Sequence, residues 1–256
     1  MRIDVNAFLG AYPFRRVPGT SPDAVIRAMD RVGIDQAWAS HLPGLFWRDP
    51  TEGNAWLYQT ASREPRLRAV PAIHPGLSGW ERVLAEAVAG GTPAVRCDPT
   101  FYAIDPAGAA MRQLVGACGE AGKLLVLAVR LEDARQRHLN DAAPELPAAA
   151  VRTLIRSHPA ARLLITHAHR GFVEEVHFGS TPPEAARLWW DLSWIWGPPE
   201  DDLATLLSTV GPDRFVFGTG QPLRLPEASV AKLDLLDLGP DQRVLIERGN
   251  VESAVG

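Results

Sequence analysis

The polar residues able to do chemistry fall in pairs two positions apart, each beside a short apolar run. They are Asp4 and Asn6, Arg96 and Asp98, Arg130 and Glu132, His167 and His169, Asp191 and Ser193, and finally Thr219 and Gln221. Side chains two apart point to the same side of a strand. Inward polar groups on several strands are costly to bury unless they pair with one another or serve a site. An imidazole titrates near neutral pH, so His167 is the candidate general base or acid, with Asp98 or Asp191 to orient it or share its proton. Arg96 and Arg130 offer a fork-shaped anion site that would hold a carboxylate or neutralise an oxyanion. Asn6, His169 and Gln221 complete the candidate substrate-binding set.

Plainer roles compete with these. Arg96 has Asp98 as a neighbour, and Arg130 has Glu132 or Asp133. Cys97 points away from Arg96 and Asp98, which argues against a nucleophilic thiol. His41 and His74 fit structural positions at strand ends. The charged run V-R-L-E-D-A-R-Q-R-H (129–138) reads either as a solvated helix start, with acids near the positive end of the dipole, or as a segment closing over a ligand. In W-W-D-L-S-W-I-W (189–196), alternation puts Trp189, Asp191 and Ser193 on one side. Trp190, Leu192 and Trp194 fall on the other, facing outer helices. Trp196, with Phe46 and Trp47, is placed to wall an aromatic pocket.

The elements that must position these groups are eight strand-like runs, at 2–6, 36–40, 67–74, 94–98, 124–131, 162–169, 188–194 and 214–219. Between them lie helical patterns such as S-P-D-A-V-I-R-A-M-D-R-V-G, with Ser21 suited to the N-cap, Pro22 to the first turn and Gly33 to the stop. Crossovers of this length imply parallel pairing. With 256 residues, close to the roughly 250 usual for a single α/β barrel, the pattern predicts one (β/α)8 TIM-type barrel domain over residues 1–256. Its chemistry belongs at the C-terminal ends of the strands.

Composition narrows the partners. A net charge of −4 spread along the chain points to neither nucleic acid nor a membrane surface, and no apolar run reaches the roughly 20 residues of a membrane span. Cys97 and Cys118 have no metal or disulfide spacing, and the N-terminus lacks the apolar run of a signal peptide. The expectation is a cytoplasmic protein acting on a small anionic molecule, with room for a homo-oligomer.

The segments I-D-V-N-A-F-L-G, L-L-I-T-H-A-H, D-L-S-W and G-P-D-R-F-V-F-G-T-G-Q-P, followed by R-G-N-V-E-S-A, resemble the amidohydrolase superfamily, specifically its amidohydrolase-2 branch of decarboxylases, lactonases and small-acid hydrolases. The resemblance implies a barrel hydrolase with a metal held by a first-strand His-x-His, a strand-eight aspartate and, in some members, a carboxylated lysine. Here Asn6 and Phe8 stand at the histidines and Gly220 at the aspartate, and arginines 96 and 130 end the strands where the lysine would lie. Of the usual ligands His167 alone is matched. The expectation is therefore a hydrolase without metal or other cofactor, acting on a small carboxylate-bearing ester, lactone or amide. Two alternatives stand beside it: a non-catalytic barrel that binds a small acid or a protein, and a metalloenzyme using His167 and His169 with Asp98 or Asp4.

Overall fold

Helix α1 (Pro22–Val32) shows how closely the local signals are obeyed. The Ser21 hydroxyl accepts from the Ala24 N–H, Pro22 opens the first turn, and Gly33 ends the helix at φ +66°. The computed structural model describes residues 1–135, 137–196 and 201–256. Among them are eight strands: β1 (Ile3–Leu9), β2 (Gln36–His41), β3 (Leu67–Ala69), β4 (Ala94–Arg96), β5 (Leu124–Ala128), β6 (Leu163–Thr166), β7 (Leu188–Asp191) and β8 (Phe215–Val216). The crossovers carry α1, α2 (Thr51–Ala61), α3 (Trp80–Ala89), α4 (Ala109–Glu120), α5 (Ala148–Ser157), α6 (Arg170–Phe178), the single turn α7 (Pro182–Ala185) and α8 (Asp202–Thr209). The chain ends in α9 (Pro226–Asp234), α10 (Pro240–Val244), a π turn and α11 (Asn250–Val255).

All neighbouring strands pair in parallel, in the order β1-β2-β3 and β4-β5-β6-β7-β8. The two arcs meet through bridges between Ala72 and Arg96 and between Ala7 and Gln221. At the second seam Val5 N donates to Phe217 O (3.0 Å), Gly220 N to Asn6 O (2.8 Å) and Phe8 N to Gln221 O (2.8 Å), which closes the barrel. The 67–74 run is shorter than its sequence suggests. Regular pairing stops at Ala69, and the chain beyond it makes the seam with β4.

Inward side chains form one layer: Ile3, Val5, Trp38, Val70, Ala94, Val126, Leu164, Trp189 and Val216, with Val251 and Ala254 of α11 closing the floor. Outward side chains, including Trp190 and Leu192, pack under the helices. The alternation predicted for β7 holds up to that point. The exception is on β1, where the register with β2 shifts between Asp4 and Ala7. An extra residue at such a bulge re-aims the side chains beyond it. Val5 packs below, Ala7 and Leu9 face the helices, and Phe8 turns to the mouth.

Candidate functional site

At the C-terminal ends of the strands five polar side chains sit almost wholly out of solvent: Asn6, Arg96, Asp98, His167 and Asp191, each at most 1% exposed. Asn6 joins them. Its Oδ1 accepts from Arg96 Nη2 (2.9 Å), and its Nδ2 donates to Asp191 Oδ2 (2.7 Å). A guanidinium on one side and a carboxylate on the other fix which way the amide points. The same Nδ2 lies 3.1 Å from Nε2 of His167. That nitrogen must then be the acceptor, and the neutral ring carries its proton on Nδ1.

His167 follows the last residue of β6 and has φ +58°, a conformation that a bulky residue rarely adopts. Its N–H donates to Asp191 Oδ1 (2.9 Å), so one carboxylate holds both the histidine backbone and the Asn6 amide. The ring stacks on Phe8 (6.1 Å, 17°) and meets Trp194 edge-on (5.8 Å). Burial, reinforced by the charges of Arg224, Arg96 and Arg130, holds the imidazole well below its ordinary value, so the ring is neutral at pH 7. Its Nδ1 makes no hydrogen bond of ordinary geometry, although the Arg130 backbone gives slight support to a proton there.

Burial pushes the Asp191 carboxyl up, opposed by hydrogen bonds from Ser193, the His167 N–H and Asn6. It pushes Asp98 up as well, against the Arg96 charge. Asp98 Oδ1 accepts from Ala128 N (3.1 Å), while Oδ2 faces Arg96 Nη1 at 3.9 Å without a hydrogen bond. Arg96 Nε is likewise unpartnered within the protein, and the guanidinium lies 4.7 Å over the Phe8 ring. Asp4 takes no part in this network. It accepts from Thr219 N and Oγ1 (3.0 and 2.6 Å), from Gln221 Nε2 (3.0 Å) and from the Asn6 N–H (3.0 Å), and so pins the β8 turn to β1. Gln221 is thereby a positioning side chain whose Oε1 is left unpartnered.

Three expectations change. His167 and His169 do not share a side, because β6 ends at Thr166. His169 is exposed and caps α6, its Nδ1 accepting from Phe172 N (3.2 Å). Arg130 pairs with Glu145 (2.8 Å) rather than with Glu132 or Asp133, and Glu132 is taken by Arg15 (2.8 Å). Trp194 does not face the outer helices. Beyond β7 it turns to the mouth, against His167 and under the guanidiniums of Arg130 (5.4 Å) and Arg224 (3.6 Å). In the charged run 129–138, Gln136 lies outside the described residues. The rest forms no helix, and its neighbour Asp141 accepts from Tyr12 Oη (2.6 Å).

Two cations beside the site escaped the sequence reading. Arg224 follows the β8 turn, stacked on Trp194 and 5.1 Å from Trp196, and burial pushes it down to about 10. Lys232, on α9, reaches back to donate to Leu192 O (2.7 Å), and burial pushes it down to about 8. Neither sits at a strand end. The one available signal was their rarity in context, a lone arginine in P-L-R-L-P and one of two lysines in the chain.

Above the polar layer the mouth is filled. Phe8, Tyr12, Leu42, Leu45 and Leu131 cluster there, and Phe14, Phe46 and Phe101 meet edge-to-face at 5.0–5.6 Å. Phe46 thus belongs to an aromatic cap, whereas Trp47 stands apart against His41 (5.1 Å).

A divalent cation does not fit these residues. Phe8 offers no donor atom, the Asn6 oxygen is held by Arg96, and an amide N–H faces His167 Nε2. Three guanidinium charges bear on that ring. Among the described residues no three His, Cys, Asp or Glu side chains are grouped to hold a metal ion. A side chain on Gly220, at φ +71°, would meet His167 Nε2 at 2.9 Å, so the aspartate position of the resembling family is closed off by the imidazole itself.

No family model matches the sequence, and neither does any curated protein. Solved structures do match the fold. An uncharacterized TIM-barrel protein from Bordetella bronchiseptica is 17% identical, with 99% of this chain and 97% of that one covered and a TM-score of 0.73. A candidate 2-pyrone-4,6-dicarboxylic acid hydrolase from Pseudomonas putida is 18% identical (100% and 97% covered, TM-score 0.71). A dihydroxybenzoic acid decarboxylase from Polaromonas sp. JS666, holding manganese and the inhibitor 2-nitroresorcinol, is 15% identical (99% and 96% covered, TM-score 0.74). At these identities what is shared is architecture: the chain has the (β/α)8 fold found in barrels of the amidohydrolase and decarboxylase type.

Proposed function

We propose that the chain is a metal-independent hydrolase of the amidohydrolase superfamily, acting on a small carboxylate-bearing ester, lactone or amide. The observation that carries the reading is the buried Asn6–His167 contact, with the amide oriented by Arg96 and Asp191. In the resting site the Asn6 N–H occupies the one lone pair of Nε2; once substrate and water displace that contact, Nε2 of the neutral imidazole is the base at the inner end of the barrel mouth. A water that takes the place of the Asn6 N–H at Nε2 gives up a proton to it as the oxygen adds to the substrate carbonyl. The oxyanion so formed is stabilised by Arg96, whose Nε and Nη1 carry N–H groups with no partner in the protein. As the carbonyl re-forms, the imidazolium returns the proton to the departing alkoxide or amine. Asp191 holds the His167 backbone N–H and the Asn6 amide, and Asp98 balances the Arg96 charge.

A second reading, a barrel that binds a small acid without turnover, is favoured by the cap of Tyr12, Phe14, Phe46 and Phe101 and by the near-zero exposure of the cluster beneath it. The two separate in one experiment. Proton release from small lactones and esters bearing a carboxylate is followed with a chelator present, for the wild type, His167→Gln and Asn6→Ala. Turnover that survives chelation and falls at least about 100-fold in His167→Gln fits a general base. Turnover by the wild type that His167→Gln retains, or none with any substrate, removes the hydrolase reading.

A further inference from the structure

The cap covers the barrel mouth, and a second cavity lies to its side. A cavity of about 350 Å³ lies between α1 and the turn joining β8 to α9, lined by Gly19, Arg27, Gln221, Pro222, Arg224 and Leu225 among others. Its inner wall is the Asp4-held turn after β8. Gln221 is 1% exposed, gives its amide N–H to Asp4 and keeps Oε1 unpartnered. Arg224 has one face on Trp194 at 3.6 Å, Nη2 at 3.5 Å from the Leu131 carbonyl and no partner on Nε. A guanidinium stacked on a ring keeps its edge available for a planar anion. At the outer rim Arg31 is paired with Glu227 (3.1 Å), whereas Arg27 makes no ion pair among the described residues. Pro222, Leu225 and Pro226 supply apolar surface.

The inner end comes close to His167. A Cβ built on Gly220 would lie 2.9 Å from His167 Nε2 and 3.5 Å from Arg224 Cγ, so both side chains pack against this glycine. We infer that this side cavity is a carboxylate-binding subsite, with Arg224 as the inner receptor and Arg27 as the outer one. It takes a small organic acid whose apolar body lies on Pro222 and Leu225. The inference deepens the hydrolase reading by naming where the carboxylate of the substrate is held, and it rests on that reading for the role of His167.

Benzoate titrated calorimetrically into the full chain tests it. We expect binding to weaken at least fivefold in Arg27→Gln, an exposed site with little risk to folding, and at least tenfold in Arg224→Gln. Arg68→Gln, far from the cavity, should leave it unchanged. Benzoate binding that is absent in the wild type, or equal in all three variants, overturns the subsite. Binding lost in Arg96→Gln but kept in Arg224→Gln also overturns it, by assigning the anion to the central cluster and leaving the hydrolase reading standing. Binding that depends on Arg27 and Arg224 without turnover of any ester or lactone supports the subsite and removes the hydrolase reading.

Discussion

Asn6 Nδ2 lies 2.7 Å from Asp191 Oδ2 and 3.1 Å from His167 Nε2, while Asn6 Oδ1 accepts from Arg96 at 2.9 Å. One neutral amide thus links β1, β4 and the ends of β6 and β7. It stands where the resemblance places a metal-binding histidine, and in this chain hydrogen bonds tie it to Arg96, Asp191 and His167. Asn6→Ala strips partners from a buried guanidinium and a buried carboxylate. Unpaired buried groups cost about 1–3 kcal/mol each, so urea unfolding should show a loss of about 2–6 kcal/mol for the pair. Asn6→Ser, which restores part of the bonding, should recover some of it.

Gly220→Asp should fail as a restoration of the missing acid. The backbone there is at φ +71°, and a Cβ would approach His167 Nε2 to 2.9 Å. The strained backbone alone costs about 1–3 kcal/mol, and the imidazole or Arg224 must also move. Thermal melts should show a lower Tm with zinc absent and no recovery with zinc added.

The depressed His167 makes stability depend on pH in a defined direction. Burial and three arginines lower its folded value below that of the unfolded chain. The unfolded state therefore binds the proton first, and stability is complete above the unfolded value near pH 6.5 and lost as pH falls below it. The slope attributable to one such group is about 1.4 kcal/mol per pH unit. Urea midpoints between pH 5 and 7 should show a difference of that sign between wild type and His167→Gln, with the variant less sensitive. The other depressed histidines, 41, 74, 169 and 177, are common to both proteins and cancel.

Removing the cap should expose the cluster. Phe46 holds three edge-to-face contacts, with Tyr12, Phe14 and Phe101. Phe46→Ala should raise acrylamide quenching of tryptophan fluorescence and cost about 1–3 kcal/mol, less than a fully buried phenylalanine because Phe46 is half-buried. Unchanged quenching would mean that the cap is not what shields Trp194.

The barrel was legible because short apolar runs alternate with longer helical patterns, and all eight strands appear at their expected places. On β4 simple alternation sufficed: Ala94 faces in, Val95 and Cys97 pack under the helices, and Arg96 and Asp98 join the cluster. It failed where the backbone leaves the strand. The bulge on β1 decides that Phe8 faces the mouth, the positive φ of His167 separates it from His169, and the turn after β7 swings Trp194 inward. Arg224 was invisible for the same reason, since its place is set by a loop stacking on a tryptophan whose own orientation alternation mispredicts.

Elemental analysis of purified wild-type protein and His167→Ala, made alongside the chelator-treated turnover assay, tests most directly whether hydrogen bonds have replaced metal at Asn6 and His167. The expected result is zinc and manganese far below one equivalent in both proteins, with wild-type turnover indifferent to chelation. One equivalent of either metal in the wild type, lost together with activity in His167→Ala, would contradict it.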